Sequence, residues 1–280
     1  MAKAIDRSRS ADTEPRVRRG YFECRYGQLH VHNAMPPGGG FDEATALVCL
    51  HPSPLSGGVF DQLSRLLGRD RSVYAPDLPG FGESEPPPSR PSIADYAGAI
   101  ADFCDSMRFR QIDVLGVHSG SFVAAELAIA RPTVVRRLVC VGMPLPSEPE
   151  REAFRRAPWP VPPAENGSHL AVEWQRTLQQ RRPGEALEPW ARAFAEKLHN
   201  GTHAWWGLGA AFDYPARERL GRVQQPTLLL RLKDEWWDAT ARGRELLPKA
   251  RLVELPELGL GALETAPVAL SNALRDFLRG

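Results

Sequence analysis

The sequence predicts an α/β fold, a doubly wound and mostly parallel sheet with an inserted helical segment. Short apolar runs alternate with segments of helical periodicity, which is typical of a parallel sheet covered by helices. The run Gly116-Val117-His118-Ser119-Gly120 stands between an apolar run and a helix-like segment, as a sharp strand-to-helix turn would. The alternation stops between 145 and 225 and then resumes. Right-handed crossovers wind such a chain on both faces of one sheet.

The elements before the insertion follow from apolar runs and turn residues. An opening hairpin is predicted over 18–33 around Gly27, and the apolar run 44–50, bounded by turn residues, predicts a buried strand. Ser92 is predicted to cap the helix that it starts. The other predicted elements are a helix over 59–67, a strand over 72–75, a helix over 92–107, a strand over 112–115, a helix over 122–130 and a strand over 134–143.

The insertion is rich in proline, tryptophan and arginine, and its periodicity predicts helices. Ser168 is predicted as the N-cap of the first of them. Helices are predicted over 169–180, 189–199 and 203–212, followed by a strand over 227–232, a helix over 239–247, a strand over 251–255 and a helix over 267–278. The predicted domains are therefore a core of 18–144 and 226–280 and a helical cap of 145–225, preceded by a disordered tail, 1–17.

The composition argues against several function classes. The net charge of the 280 residues is +1, so no broad attraction to nucleic acid or to a membrane surface is expected. The polar tail lacks the apolar centre of a secretory signal, and no apolar run is long enough to span a membrane. The four cysteines are widely spaced, which predicts free thiols in a reducing compartment, and hence a cytoplasmic protein. No metal-ligand spacing or nucleotide-binding glycine loop is present, so neither metal nor cofactor is predicted.

The turn at 116–120 matches the G-x-S-x-G pattern of a nucleophile elbow except at its centre, where His118 replaces serine. The apex of an elbow points its side chain into a cleft, and its strained backbone is typical of a functional site. An imidazole exchanges protons near neutral pH, so His118 is predicted to act as a base or nucleophile. Shifting the frame to make Ser119 the apex would lose both glycines.

Five segments in order resemble the alpha/beta-hydrolase family with a helical cap, and the resemblance covers about 18–280. They are similar to the strand that places the oxyanion loop, the D-x-x-G-x-G-x-S turn, the elbow and its helix, the strand and turn that carry the acid, and the strand before the catalytic histidine. In this chain the segments are 48–52, 74–84, 114–125, 226–234 and 253–259.

The resemblance implies roles for individual residues. The nucleophile position falls on His118 and the acid position on Asp234, which is expected to orient the imidazole directly or through water. The position of the family's histidine falls on Leu260, so two of the three triad members differ in type. The oxyanion donors of the family are backbone N–H groups, which fall here on Ser119 and Ser53.

Further residues are predicted to contact substrate. His51 follows the strand before the oxyanion loop. The other candidates lie in the insertion, which is expected to cover the elbow: His169, Trp205 and Trp206. His169 is also a candidate to replace the missing C-terminal histidine. Tryptophans facing inward would imply a bulky, largely apolar ligand.

Three functions fit these observations. The first is a hydrolase of small apolar ester-like or lactone-like substrates that works without a serine nucleophile. The second is a lyase or cyclase of a specialised metabolite that uses His118 for proton transfer. The third is a ligand-binding protein that keeps the pocket without the chemistry. All three take a small molecule as partner, and the sequence does not fix the oligomeric state.

Overall fold

The computed structural model describes residues 15–37, 44–157, 161–179, 181–247 and 249–279. Of the predicted disordered tail, residues 1–14 lie outside the described residues. Eight strands form one sheet: β1 Arg18–Cys24, β2 Gly27–Ala34, β3 Ala44–Leu50, β4 Arg71–Pro76, β5 Ile112–Val117, β6 Val135–Val141, β7 Thr227–Leu232 and β8 Ala250–Leu255. Their order is β1-β2-β4-β3-β5-β6-β7-β8. β1 and β2 pair antiparallel, and the strands from β3 to β8 run parallel.

The helices follow the strands in alternation, as the sequence predicts. They are α1 Asp61–Leu67, α2 Ile93–Ser106, α3 Ser119–Ala130, α4 Glu148–Arg156, α5 Ser168–Leu178, α6 Leu187–His199, α7 Trp206–Asp213, α8 Ala216–Arg219, α9 Trp237–Leu246, α10 Ala262–Thr265 and α11 Pro267–Arg279. The stretch from α4 to α8 lies between β6 and β7 in the chain and is called the insertion below (residues 145–225). Within the described ranges, no helix is both long and apolar enough to cross a membrane.

The sheet separates two apolar layers, because successive strand side chains point to opposite faces. In β3, Val48 and Leu50 pack with α2, α3 and α9, whereas Leu47 and Cys49 pack with α1 and α11. Helices on both faces explain why the parallel strands are continuously apolar rather than alternating. The doubly wound fold predicted from the alternation is confirmed.

Two helix starts show where local signals succeed and fail. Ser92 caps α2 as predicted: its hydroxyl accepts the N–H of Asp95 at 3.2 Å, within a capping box. The prediction for Ser168 is wrong, because Gly167, with φ 73°, is the capping residue and Ser168 is already helical. The sequence pattern also misses α4, since none of its residues is buried and no apolar stripe marks it.

Candidate active site

The turn between β5 and α3 places His118 at its apex. His118 has φ 48° and ψ −117°, a conformation that only glycine adopts without strain. A Cβ at Gly116 would lie 2.2 Å from the carbonyl oxygen of Gly120, and one at Gly120 would lie 2.2 Å from that of Leu50. Both positions therefore require glycine, because the tight turn brings backbone atoms too close for a side chain.

His118 forms a hydrogen bond with the carboxylate predicted from the sequence. Asp234 follows β7, and its Oδ2 lies 3.0 Å from His118 Nε2. Its other oxygen, Oδ1, accepts the backbone N–H of Trp236 at 2.9 Å, which fixes the carboxylate. The side chain of Asp234 is 2% exposed, so water competes little for this contact. An ionised carboxylate only accepts hydrogen bonds, and the proton on the imidazole is therefore assigned to Nε2.

The second ring nitrogen of His118 is left with its lone pair. Nowhere in the described ranges does a protein group hydrogen bond to Nδ1, and the side chain of His118 lines a cavity. A carboxylate on one side of an imidazole makes the opposite nitrogen a better proton acceptor and stabilises the imidazolium that results. An imidazole–carboxylate pair of this kind can accept a proton from a bound molecule.

Gly142, directly after β6, makes room for this pair. It has φ 58°, and a Cβ there would lie 2.6 Å from His118 Cδ2 and 2.8 Å from Asp234 Oδ2. Its N–H donates to the carbonyl of Leu230 at 3.0 Å, which holds it against the neighbouring strand. The sequence gives no signal for this role, since Gly142 reads only as the end of a strand.

The two predicted oxyanion donors are not equivalent. The backbone N–H of Ser53 donates to Ser119 Oγ at 2.8 Å, so it is not free to meet a substrate oxygen as predicted. Ser119 is the first residue of α3, where backbone N–H groups have no helical partner and the helix dipole favours negative charge. The Ser119 hydroxyl, which accepts from Ser53, keeps its own proton to donate.

A cavity of about 500 Å³ lies over the elbow. That volume suits a small organic ligand. Leu260 lies in its wall, at the position where the resemblance expects the family's histidine. The insertion and the core both contribute to the lining: Phe154, Trp190, Lys197, Trp205 and Phe212 from the insertion, and Ser53, His118, Ser119, Trp236 and Leu260 from the core.

The chain has two pairs of adjacent tryptophans, Trp205-Trp206 and Trp236-Trp237, and in each pair only the first lines the cavity. Trp205 lines the cavity as predicted, whereas Trp206 is not in its wall and instead packs on His203, with ring centroids 4.3 Å apart. Trp236 lines the cavity with its ring centroid 6.5 Å from that of His118. Trp237 stacks with the guanidinium of Arg231 at 3.9 Å. Adjacent residues in a helix or turn point in different directions, so the sequence could not separate them.

His51 braces a loop instead of contacting the cavity. Its Nε2 accepts the N–H of Leu78 at 2.8 Å, and its Nδ1 donates to the carbonyl of Pro52 at 3.1 Å. The side chain is completely buried and is not in the cavity wall. Burial lowers the pKa of His51 to about 4, so the ring is neutral. The prediction that it binds substrate is not supported by this position.

His169 is also not in the cavity wall. Its Nδ1 accepts the backbone N–H of Ala164 at 3.0 Å, which ties the start of α5 to the preceding loop. The contact partner of the His118 ring is Asp234, and His169 does not take the place of the missing C-terminal histidine.

One cluster of side chains has separations that a metal ion could bridge within the described residues. It consists of His30, His32 and Asp77, whose ligand atoms lie within 4.8 Å of one another. Asp77 already accepts hydrogen bonds from the N–H groups of Gly57 and Glu83 and contacts His30 Nδ1 at 2.8 Å. Burial alone would raise the pKa of Asp77, but the hydrogen bonds from His30 and Glu83 outweigh it and the pKa is lowered. The cluster is thus a satisfied brace between β2 and the loop after β4.

Comparison with known proteins identifies the family of this chain. A family model described as the alpha/beta hydrolase family matches residues 47–273, which contain all five resembling segments. The chain belongs to this family. Among relatives, a protein named for carbamate hydrolase activity, RutD of Pseudomonas savastanoi pv. phaseolicola, is 27% identical over 237 residues, 76% of this chain and 85% of that protein.

Solved structures of the family share the fold. The enol-lactonase of Burkholderia xenovorans LB400 superposes with a TM-score of 0.76 at 16% identity, covering 93% of this chain and 100% of that one. A thermophilic esterase of Thermogutta terrifontis gives 0.69 at 20% identity, covering 94% and 98%. At these identities the likeness establishes the alpha/beta-hydrolase fold, and the reaction has to be inferred from the residues of the site.

Proposed function

We propose that this protein hydrolyses small, largely apolar esters or lactones without a serine nucleophile, using His118 as the general base. The observation that carries the proposal is the hydrogen bond between His118 Nε2 and Asp234 Oδ2 at the elbow apex. With Nε2 bonded to the carboxylate, Nδ1 is the ring nitrogen that is left to act as the base. The acid of the family's triad thus acts directly on the residue at the nucleophile position, and Leu260 has no catalytic part.

In the proposed reaction, Nδ1 removes a proton from a water molecule as the water oxygen attacks the carbonyl carbon. The imidazolium that forms is stabilised by the carboxylate of Asp234. The tetrahedral intermediate collapses with cleavage of the carbon–oxygen bond to the leaving group. Nδ1 returns the proton to the leaving oxygen, and the acid and the alcohol are released. A lactone opens by the same steps into one hydroxy acid.

The negative charge of the intermediate requires donors beside His118. The N–H of Ser119 begins α3, and its hydroxyl is positioned by the N–H of Ser53 at 2.8 Å. Donors fixed in advance stabilise a developing oxyanion more effectively than mobile water, because they need no reorganisation. Ser119 therefore acts as an oxyanion donor, with Ser53 as its positioning residue.

The substrate class is supported by the cavity and by the relatives. Aromatic side chains from both the insertion and the core line a space of about 500 Å³, which favours a small apolar body. The similar proteins named above include a lactonase and an esterase. Hydrolysis of an ester or a lactone breaks an acyl–oxygen bond, which is the reaction that a base beside an oxyanion site would catalyse.

The Asp234→Asn variant tests the pair. We expect its kcat for 4-nitrophenyl butyrate to fall about tenfold to a hundredfold, because the neutral amide no longer stabilises the imidazolium. Asp238→Asn is the matched control, since Asp238 has a side chain 85% exposed and pairs with Arg231. Equal activity of wild type and Asp234→Asn would contradict the proposal, as would labelling of Ser119 by a fluorophosphonate probe.

Ser119→Ala tests the oxyanion donor. We expect kcat to fall about a hundredfold, which is the usual effect of removing one such donor, with little change in KM. Ser121→Ala is the control. The Ser121 hydroxyl donates to the carbonyl of Gly116 at 2.9 Å, and the residue is not in the cavity wall. If both variants keep wild-type kinetics, the hydroxyl of Ser119 takes no part in the reaction.

A further inference from the structure

The insertion holds an ionic triad of Glu173, Arg176 and Lys197 beside the cavity. Glu173 on α5 is 6% exposed, and its two oxygens contact two different cations. Oε1 accepts from Arg176 Nη1 at 3.0 Å, and Oε2 forms an ion pair with Lys197 Nζ. Arg176 and Lys197 are both in the cavity wall. Two cations from α5 and α6 therefore share one carboxylate beside the space that His118 faces.

Two cations share the single carboxylate of Glu173, so the formal charges of these three side chains sum to +1. Burial lowers the pKa of Lys197, although the contact with Glu173 opposes this effect. The ammonium also lies 4.4 Å from the centre of the Trp205 ring, whose face attracts cations. Arginine and lysine side chains in the wall of a cavity bind a carboxylate of a ligand through charge-assisted hydrogen bonds. The arrangement is therefore prepared for an anion inside the cavity.

Acidic residues also reach the cavity, but from other elements. Glu264, in α10, pairs with Arg192 at 3.0 Å, and burial raises its pKa. Glu235 enters the wall next to Trp236, on the core side. The basic residues come from α5 and α6, so the cavity is polarised between the insertion and the core.

We propose that Arg176 and Lys197 form a subsite for a carboxylate of the substrate, at a distance from the acyl group that His118 serves. This inference rests on the proposed hydrolase function and narrows it to esters or lactones that carry a carboxylate. Trp205 packs against the apolar stem that joins the two ends. The cavity then binds the anionic end by charge and the middle of the substrate by its aromatic lining.

The first test compares substrates that differ only in charge. The 4-nitrophenyl half-esters of the dicarboxylic acids from succinate to suberate, which keep one free carboxylate, are measured against neutral 4-nitrophenyl esters of the same chain length. For the chain length that fits best, we expect kcat/KM of the anionic ester to exceed that of the neutral ester by about tenfold or more, as for a charge-assisted contact. A neutral ester preferred at every length would overturn the subsite.

A charge cycle separates recognition from a merely structural role. Lys197→Met leaves Arg176 paired with Glu173, so the protein should fold while the excess charge and the anion preference are lost. Adding Glu173→Gln restores the excess charge, and we expect the anion preference to return. Arg155→Met, a cation of α4 with a side chain 49% exposed, is the control that keeps the preference. A preference that does not follow the charge of the triad would contradict the proposal.

A binding measurement distinguishes failure of the subsite from failure of the hydrolase proposal. Tryptophan fluorescence is titrated with 4-phenylbutyrate and with neutral 4-phenylbutanamide, in wild type and in His118→Ala. Tighter binding of the carboxylate in both proteins, lost in Lys197→Met, supports the subsite even if no ester is hydrolysed. Ester turnover that depends on His118, with equal binding of the two probes, supports the hydrolase and overturns the subsite.

Discussion

Replacing His118 with alanine is expected to lower kcat for 4-nitrophenyl butyrate by about a thousandfold, which is within the range that one general base contributes. The imidazole supplies the proton-accepting nitrogen, and the cavity has no serine in its place at the elbow apex. Asp234 lies behind the ring, 3.0 Å from Nε2, and cannot replace it toward substrate without moving. Steady-state kinetics with purified protein measure the effect, and KM should change little.

The control for this variant is His203→Ala. His203 stacks on Trp206 and is not in the cavity wall, so its loss should leave kcat unchanged. Pre-steady-state kinetics separate the two roles of His118. A general base gives no burst of 4-nitrophenol, whereas a nucleophilic Nδ1 gives a burst equal to the enzyme concentration. Full activity in His118→Ala would remove the basis of the hydrolase proposal.

The second large effect is expected for Gly142→Ala. The added methyl group would lie 2.6 Å from His118 Cδ2, 2.7 Å from Nε2 and 2.8 Å from Asp234 Oδ2. It has no room unless the imidazole and the carboxylate separate. We expect kcat to fall by about a hundredfold or more, and the free energy of unfolding to drop by about 1–3 kcal/mol because alanine is also strained at this φ. Kinetics and denaturant unfolding measure the two effects.

Gly201→Ala separates the steric effect from the backbone strain. Gly201 has φ 53°, close to the 58° of Gly142, but a Cβ there meets no atom within 4 Å. This variant should show the strain alone, with kcat unchanged. Similar losses of kcat in both variants would mean that the methyl group does not act through the His118–Asp234 pair.

The strands of the core were predictable because each is a short apolar run between turn residues. The predicted 44–50 and 227–232 agree with β3 and β7 at both ends. Apolar periodicity depends on burial on the sheet faces, and the fold buries these strands almost completely. α4 was not predictable for the opposite reason, because it buries none of its residues and its charged sequence carries no stripe.

The site was only partly predictable. The glycines around His118 mark the turn. The order of the resembling segments along the chain indicates that Asp234, after β7, is the acid. The hydrogen bond from the Ser53 N–H to Ser119 Oγ was not predictable. These groups are 66 residues apart and meet only when the loop after β3 packs on the elbow. The same is true of the triad around Glu173, whose cations lie on two helices of the insertion.

The sequence alone determined the fold class, the elbow and the presence of histidine where the family places its nucleophile. These features follow from local patterns: apolar runs, turn glycines and segment order. Only the tertiary structure decided which atoms of His118 contact Asp234, which tryptophans face the cavity and where charge accumulates in its wall. The physical reason is that hydrogen bonds and ion pairs depend on distances of a few ångströms between residues far apart in the chain, and packing alone fixes those distances.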